Sequence, residues 1–90
     1  MMGREIFFYI GTYTNKSSRG IYGFRFNPVT GEHTMPRLLA EIVSPSYLLM
    51  NCSKTVLYAV TEPTDGSHGS IAAFSVDSQS GELKKLNEVV

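Results

Sequence analysis

The sequence predicts an all-β protein assembled from repeated antiparallel sheets. Three observations carry that expectation. The apolar residues fall in short runs rich in β-branched and aromatic types, cut by Gly, Pro, Asn and Ser. No window places apolar residues at i, i+3, i+4 and i+7 between plausible caps, so no helix is expected. The order strand, loop, strand, turn and strand occurs twice along the chain.

The first predicted strand is Glu5–Thr12. Ile6, Phe8 and Ile10 point one way, Phe7 and Tyr9 the other, so this strand should be covered on both sides. A polar loop, Asn15 to Arg19, ends at Gly20. The second strand is Ile21–Phe26, with Tyr22, Phe24 and Phe26 on one face. Asn27-Pro28-Val29-Thr30-Gly31 reads as a hairpin turn. Asn opens it, Pro sets φ at the next position, and Gly takes the left-handed place that returns the chain. The third strand covers about Glu32–Ile42. It contains Pro36, which cannot donate to a ladder, so it is an edge or carries a bulge. Ser44-Pro45-Ser46 is a break. Tyr47–Met50 is a short strand, Asn51–Lys54 a polar turn and Thr55–Thr61 the next strand. Pro63 to Gly69 forms a loop. Ile71–Val76 and Leu83–Val90 are the last strands, joined by Asp77-Ser78-Gln79-Ser80-Gly81.

Composition narrows the function. The 90 residues are 42% apolar, enough for one small core, and eight basic residues balance eight acidic ones. That excludes a polybasic arm, an acidic tail and charge-driven disorder, and the scattered basic residues argue against a nucleic-acid partner. The apolar run Ile6 to Ile10 is too short for a signal-peptide core or a bilayer span. No membrane partner is expected, and a reducing, cytoplasmic setting is. The single cysteine, Cys52, excludes an intrachain disulfide framework and a Cys-based zinc cluster, and no cofactor is expected.

The repeat defines the architecture. Gly20-Ile21-Tyr22-Gly23-Phe24 through Gly31-Glu32 aligns with Ser70-Ile71-Ala72-Ala73-Phe74 through Gly81-Glu82 at an offset of 50. Upstream, Tyr9-Ile10-Gly11-Thr12 aligns with Tyr58-Ala59-Val60-Thr61 at an offset of 49. Four antiparallel strands in about 50 residues are the signature of a β-propeller blade. A blade cannot bury its own faces and stacks on neighbours. Propellers close with typically 4–8 blades, or ~200–400 residues at this period. This chain holds fewer than two. It is therefore expected to form a single partial domain over residues 1–90, the N-terminal part of a longer protein that requires the remaining blades. Alone it should associate or stay partly unfolded.

The residues that carry the repeat also carry a resemblance. Tyr9-Ile10-Gly11-Thr12-Tyr13-Thr14, Gly20-Ile21-Tyr22 and the Asn27 to Glu32 turn resemble the start of the lactonase-type seven-bladed propellers. That family includes the bacterial propeller form of 6-phosphogluconolactonase and the fungal carboxy-muconate cyclase. Ser44-Pro45-Ser46-Tyr47-Leu48 is similar to its Asn-Pro-Ser-Phe-Leu, and Leu57-Tyr58-Ala59-Val60-Thr61-Glu62 to its Leu-Tyr-Ala-Val-Asn-Glu. One departure stands out. The family's Ser-Pro-Asp-Gly-type turn is replaced here by Asn51-Cys52-Ser53-Lys54.

The resemblance implies hydrolysis of a sugar lactone, 6-phosphoglucono-1,5-lactone to 6-phosphogluconate in the pentose phosphate pathway, with a phosphorylated small molecule as partner. The His, Glu and Arg proposed for catalysis in the family belong to later blades, so the catalytic residues are expected beyond Val90. The alternative is a non-catalytic propeller that presents loops to a protein or glycan.

Lactone hydrolysis needs a base for water and a donor for the developing oxyanion. Glu62 is the best local candidate, ending an apolar strand where a blade reaches the channel mouth. Thr12 and Tyr13 occupy the aligned place in the first repeat. Ser46 follows Pro45, and its hydroxyl either bonds the local turn or reaches substrate. His68, in a Gly-rich loop, is a candidate for a catalytic or binding role. The bland reading of each is a solvated carboxylate, a packed tyrosine, a turn hydroxyl and a mobile imidazole. His33 reads as an exposed strand residue, and Cys52 lacks a nucleophile's surroundings. Asp65 and His68 alone do not make a metal site.

Overall fold

The computed structural model describes residues 5–90; Met1–Arg4, ahead of the first predicted strand, lie outside them. Among the described residues there are seven strands and no helix. They are β1 (Ile6–Ile10), β2 (Gly20–Phe26), β3 (Arg37–Glu41), β4 (Pro45–Met50), β5 (Val56–Thr61), β6 (Ile71–Val76) and β7 (Leu83–Val89). They form two antiparallel sheets in sequence order, β1-β2-β3 and β4-β5-β6-β7.

The pairing registers reproduce the sequence repeat. Phe8 pairs with Phe24 and Ile10 with Tyr22; Leu57 pairs with Phe74 and Ala59 with Ala72. Each residue of the first two pairs is thus the repeat equivalent of one in the second two. The hairpin turns repeat as well. In one, Asn27 Oδ1 accepts from the amides of Val29 (2.9 Å) and Thr30 (3.3 Å), and Gly31 N donates to Asn27 O at 2.8 Å. In the other, Asp77 Oδ1 accepts from Gln79 (2.9 Å) and Ser80 (3.0 Å), and Gly81 N donates to Asp77 O at 2.8 Å. Gly31 and Gly81 sit at φ 80° and 76°, the left-handed place the turn requires. β4 has no equivalent in the first sheet among the described residues. The three-stranded sheet is a blade short of one strand, and β1 is its edge.

The two sheets pack face to back. Ile21 and Tyr9 of the first sheet pack with Leu57, Ala59, Ala72 and Phe74 of the second, and the Phe7 ring lies against Gly81. The fully buried apolar core is Ile21, Leu57, Ala59, Ala72 and Phe74, flanked by Tyr9, Leu48 and Met50. Side-chain alternation alone sorts these residues from their strand neighbours. The Tyr9 hydroxyl donates to Gly81 O at 2.9 Å, so the first sheet is pinned to the last turn of the second. A Cβ on Gly81 would lie 2.8 Å from Phe7 Cδ1, so glycine there serves the close approach of the sheets as well as the turn. Burial raises the Tyr9 pKa above its ordinary value, which keeps this donor protonated.

Several elements differ from the sequence reading. The first strand stops at Ile10, not Thr12. Gly11 abuts Pro45, where a Cβ would meet the carbonyl oxygen at 2.1 Å, and the chain turns away. That strand is covered on one face only: Ile6, Phe8 and Ile10 remain 46%, 43% and 38% exposed. The third strand shrinks to Arg37–Glu41, because Pro36 ends its ladder; upstream only an isolated bridge joins Phe26 to His33. The fourth strand begins inside the supposed break, at Pro45. Pro is tolerated there because β4 is an edge strand and Pro45 is its first residue.

The departure at residues 51–54 has a local solution. Asn51 Oδ1 accepts from Thr55 N (2.8 Å) and Val56 N (3.0 Å), holding the turn from inside. Lys54 takes the left-handed conformation, φ 59°, that a glycine adopts without strain. Replacing Lys54→Gly should therefore stabilise the chain by about 0.5–1 kcal/mol, after the extra freedom of glycine in the unfolded state is set against the relieved backbone. Urea unfolding of the two proteins side by side reads this directly, and an equal or lower midpoint for the glycine variant would contradict it.

Candidate functional site

The antiparallel order puts three connections at one end of the sheets: residues 11–19 after β1, 42–44 before β4, and 62–70 after β5. Thr12, Tyr13, Ser46, Glu62 and His68 all belong to this end. The tight turns lie at the other.

Three of the five meet at the joint between the sheets. The Tyr13 hydroxyl donates to Glu62 Oε1 at 2.9 Å, and the Ser46 hydroxyl donates to the same oxygen at 2.6 Å. Tyr13 and Glu62 are 49 residues apart, so this bond links the same position of two successive repeats. Glu62 Oε2 has no hydrogen-bond partner among the described residues and faces solvent. The Ser46 hydroxyl, then the Tyr13 hydroxyl, hold the carboxyl below its ordinary pKa of 4.5. Glu62 is therefore an ionised, exposed and oriented hydrogen-bond acceptor, and a poor proton acceptor at neutral pH.

The other two stand apart. Thr12 closes its own loop, donating from Oγ1 to Gly20 O at 2.7 Å. Thr61, its repeat equivalent, pairs with Ser70 in the same place, its Oγ1 accepting from Ser70 N at 2.8 Å. Thr12 thus ties the loop rather than facing the cluster. His68 is exposed in the 62–70 loop, and no hydrogen bond joins it to Glu62 among the described residues. Asp65 accepts from Ser67 N (2.9 Å) and Ser67 Oγ (2.6 Å), which shapes that loop locally. Among the described residues no group of His, Cys, Asp or Glu is placed to hold a metal ion.

Sequence reasoning missed Ser44. It is 1% exposed, and φ is 40° although the residue precedes proline, which normally enforces an extended conformation. Such a backbone costs on the order of 1–3 kcal/mol and persists only where its surroundings over-determine it. Here they do. Ser44 N donates to Thr14 Oγ1 and Thr14 N donates to Ser44 Oγ, each at 3.0 Å. Ser44 O accepts from Glu62 N at 2.8 Å. Ser44 thus ties the loop of the first sheet to the strand end that carries Glu62. The only signal in the sequence was a small hydroxyl residue ahead of Pro45, which many turns share. Arg19, at the same end, is engaged by Glu41, its Nε 2.9 Å from Oε2.

Stacked antiparallel sheets that repeat each other in sequence, here of three and four strands, are the building units of a β-propeller. Residues 7–90 match the family model for lactonases with a seven-bladed β-propeller, and the chain belongs to that family. It is 40% identical over 79 residues to a 6-phosphogluconolactonase of Bacillus subtilis (strain 168), an alignment covering 88% of this chain and 22% of that protein. The crystal structure of a putative 6-phosphogluconolactonase from Bacteroides uniformis is 43% identical and superimposes with a TM-score of 0.83, over 93% of this chain and 24% of that one. The structure of a periplasmic gluconolactonase from Pseudomonas aeruginosa is 29% identical with a TM-score of 0.85, over 94% and 24%. The chain therefore spans about a quarter of the length of these relatives.

Two outcomes follow from the site. Ser44→Ala strips Thr14 N of its acceptor in a buried setting and should lower stability by about 1–3 kcal/mol in urea unfolding. Ser44→Gly, which relaxes the backbone while losing the same hydroxyl, should cost less; equal losses would show that φ at Ser44 is unstrained. The second outcome concerns protonation. A depressed carboxyl pKa means that the cluster is favoured above the ordinary value and lost as pH falls through the depressed one. A carbon-detected NMR titration should find the Glu62 midpoint below 4.5, and Tyr13→Phe with Ser46→Ala should return it towards 4.5. An unchanged midpoint in the double variant would remove the two hydroxyls as its cause.

Proposed function

We propose that this chain supplies one four-stranded blade and three strands of the blade before it to a cytoplasmic lactonase that opens a sugar lactone, 6-phosphoglucono-1,5-lactone, to its acid. The observation that carries the reading is the 40% identity to a protein named for that reaction. On this reading the product feeds the oxidative pentose phosphate pathway, and the remaining blades complete the ring.

In the reaction, water adds to the lactone carbonyl. The ring oxygen leaves as the C–O bond breaks, taking up a proton to become a hydroxyl. The geometry favours a binding role for Glu62 rather than a base role. A carboxylate whose Oε1 already accepts two hydroxyls holds an incoming proton poorly, but its solvent-facing Oε2 accepts a hydrogen bond readily. A sugar hydroxyl is the matching donor. The same negative charge repels a phosphate, so Glu62 belongs to the hydroxyl end of the substrate.

The test exchanges the aligned segment of the Bacillus subtilis relative for this chain. The chimera should hydrolyse 6-phosphoglucono-1,5-lactone. Glu62→Gln in it should raise KM about tenfold with kcat nearly unchanged, the signature of a binding contact. A chimera that folds but does not hydrolyse the lactone sinks the substrate assignment. A collapse of kcat alone would make Glu62 a catalytic group instead. The 90-residue chain by itself should show no rate above spontaneous opening.

A further inference from the structure

Three stretches of chain must be in register for the Glu62 cluster to form: residues 12–14 of the first sheet's loop, residues 44–46 at the start of β4, and the end of β5. One contact joins all three. Ser44 N donates to Thr14 Oγ1 and Thr14 N donates to Ser44 Oγ, each at 3.0 Å, and Ser44 O accepts from Glu62 N at 2.8 Å. Tyr13 is the chain neighbour of Thr14, and Ser46 lies two residues beyond Ser44. The pair therefore fixes the backbone under both hydroxyl donors and under the carboxylate that accepts from them. Ser44 and Pro45 are fully buried there, and Gly11 leaves the space that the Pro45 carbonyl occupies.

The pair does not belong to the repeat. Thr12 and Thr61 do: they sit at equivalent positions, and each ties its own loop. At the same offset of 49, which matches Tyr13 to Glu62, Thr14 falls on Pro63, which has neither an N–H nor a hydroxyl. Blade architecture by itself thus does not call for the Thr14–Ser44 pair. It is nonetheless held against backbone strain, with Ser44 at φ 40° ahead of a proline. Strain kept at one joint, directly beneath an oriented carboxylate, points to a role at that carboxylate.

We infer that Thr14 and Ser44 are positioning residues for Glu62: they touch no substrate, and their mutual hydrogen bonds set how tightly a sugar hydroxyl is held at Glu62 Oε2. The substrate half of this inference rests on the sugar-lactonase reading; the aim of the carboxylate does not. Without Thr14 Oγ1, Ser44 N loses its acceptor, and the strained φ loses one of the contacts that hold it. As that backbone relaxes, Ser44 O withdraws from Glu62 N, and Tyr13 and Ser46 lose their shared registry over Oε1. Glu62 then samples orientations that the bound sugar must pay to restrict.

Thr14→Val in the Bacillus subtilis chimera tests this, because valine keeps the volume and removes the hydroxyl. Thr14→Ser keeps the hydroxyl and serves as the rescue. Tyr9→Phe loses a bond at the opposite end of the joint and controls for stability alone. Two quantities are read: the Glu62 titration midpoint by carbon-detected NMR, which needs no substrate, and KM against kcat with 6-phosphoglucono-1,5-lactone. Thr14→Val should move the midpoint up towards 4.5. It should also raise KM about fivefold with kcat nearly unchanged. Thr14→Ser and Tyr9→Phe should match the parent in both. An unmoved Glu62 midpoint in Thr14→Val overturns the proposal whatever the chimera hydrolyses. A moved midpoint with an unchanged KM, or a Tyr9→Phe that shifts both quantities as Thr14→Val does, overturns it too. A parent chimera that opens no lactone sinks the substrate reading alone, and the titration still decides the positioning. If circular dichroism shows that Thr14→Val has lost its strands, Ser44→Gly, which removes the other hydroxyl without backbone strain, is read in the same two ways with the same expected shifts.

Discussion

The structure depends on one contact: the face-to-back joint of two sheets that are copies of each other. Neither sheet has a buried interior of its own. The fully buried apolar residues are Ile21 from the first sheet and Leu57, Ala59, Ala72 and Phe74 from the second, and all of them lie in that joint. The small residues in it are a consequence. Alanines at 59 and 72 leave room for the first sheet's side chains, Gly23 leaves room for Leu39 of its own sheet, and Tyr9 completes the contact with a bond to Gly81 at the turn end.

At the opposite end the same stacking brings chemistry together. Successive blades place equivalent positions side by side, so Tyr13 of one repeat reaches Glu62 of the next. Neither sheet alone makes the cluster. Its rigidity comes from Ser44, whose unusual backbone is held by Thr14 on one side and by the amide of Glu62 on the other. An exposed carboxylate becomes an oriented acceptor because the joint below it and the loop tie beside it fix where it points.

Much of the fold was legible in the sequence because it is a repeat. The offsets of 49 and 50 reappear as identical pairing registers, and the Asn27 and Asp77 turns form as their residue types require. Strand ends were less legible. Gly11 leaves the ladder because Pro45, distant in sequence, occupies its space, and no local pattern encodes that. Pro45 itself starts a strand because β4 lies at an edge, a fact of topology rather than propensity. In the site, Glu62, Tyr13 and Ser46 were each nameable from their places at strand ends. Their convergence on one oxygen required the joint. Thr12 shares the neighbourhood of Tyr13 but turns back to its own loop, and Ser44 carried no signal that distinguishes it from an ordinary turn serine.

The most direct measurement of the central claim is a set of nuclear Overhauser contacts across the joint, in isotope-labelled chain kept dilute enough to be monomeric. The face-to-back arrangement predicts strong cross-peaks from the Phe7 ring to Gly81, and from Ile21 methyls to the alanines of the second sheet. Phe7 contacts that lead to the Tyr58 and Val60 side of the second sheet, or no contacts between the sheets at all, would contradict it.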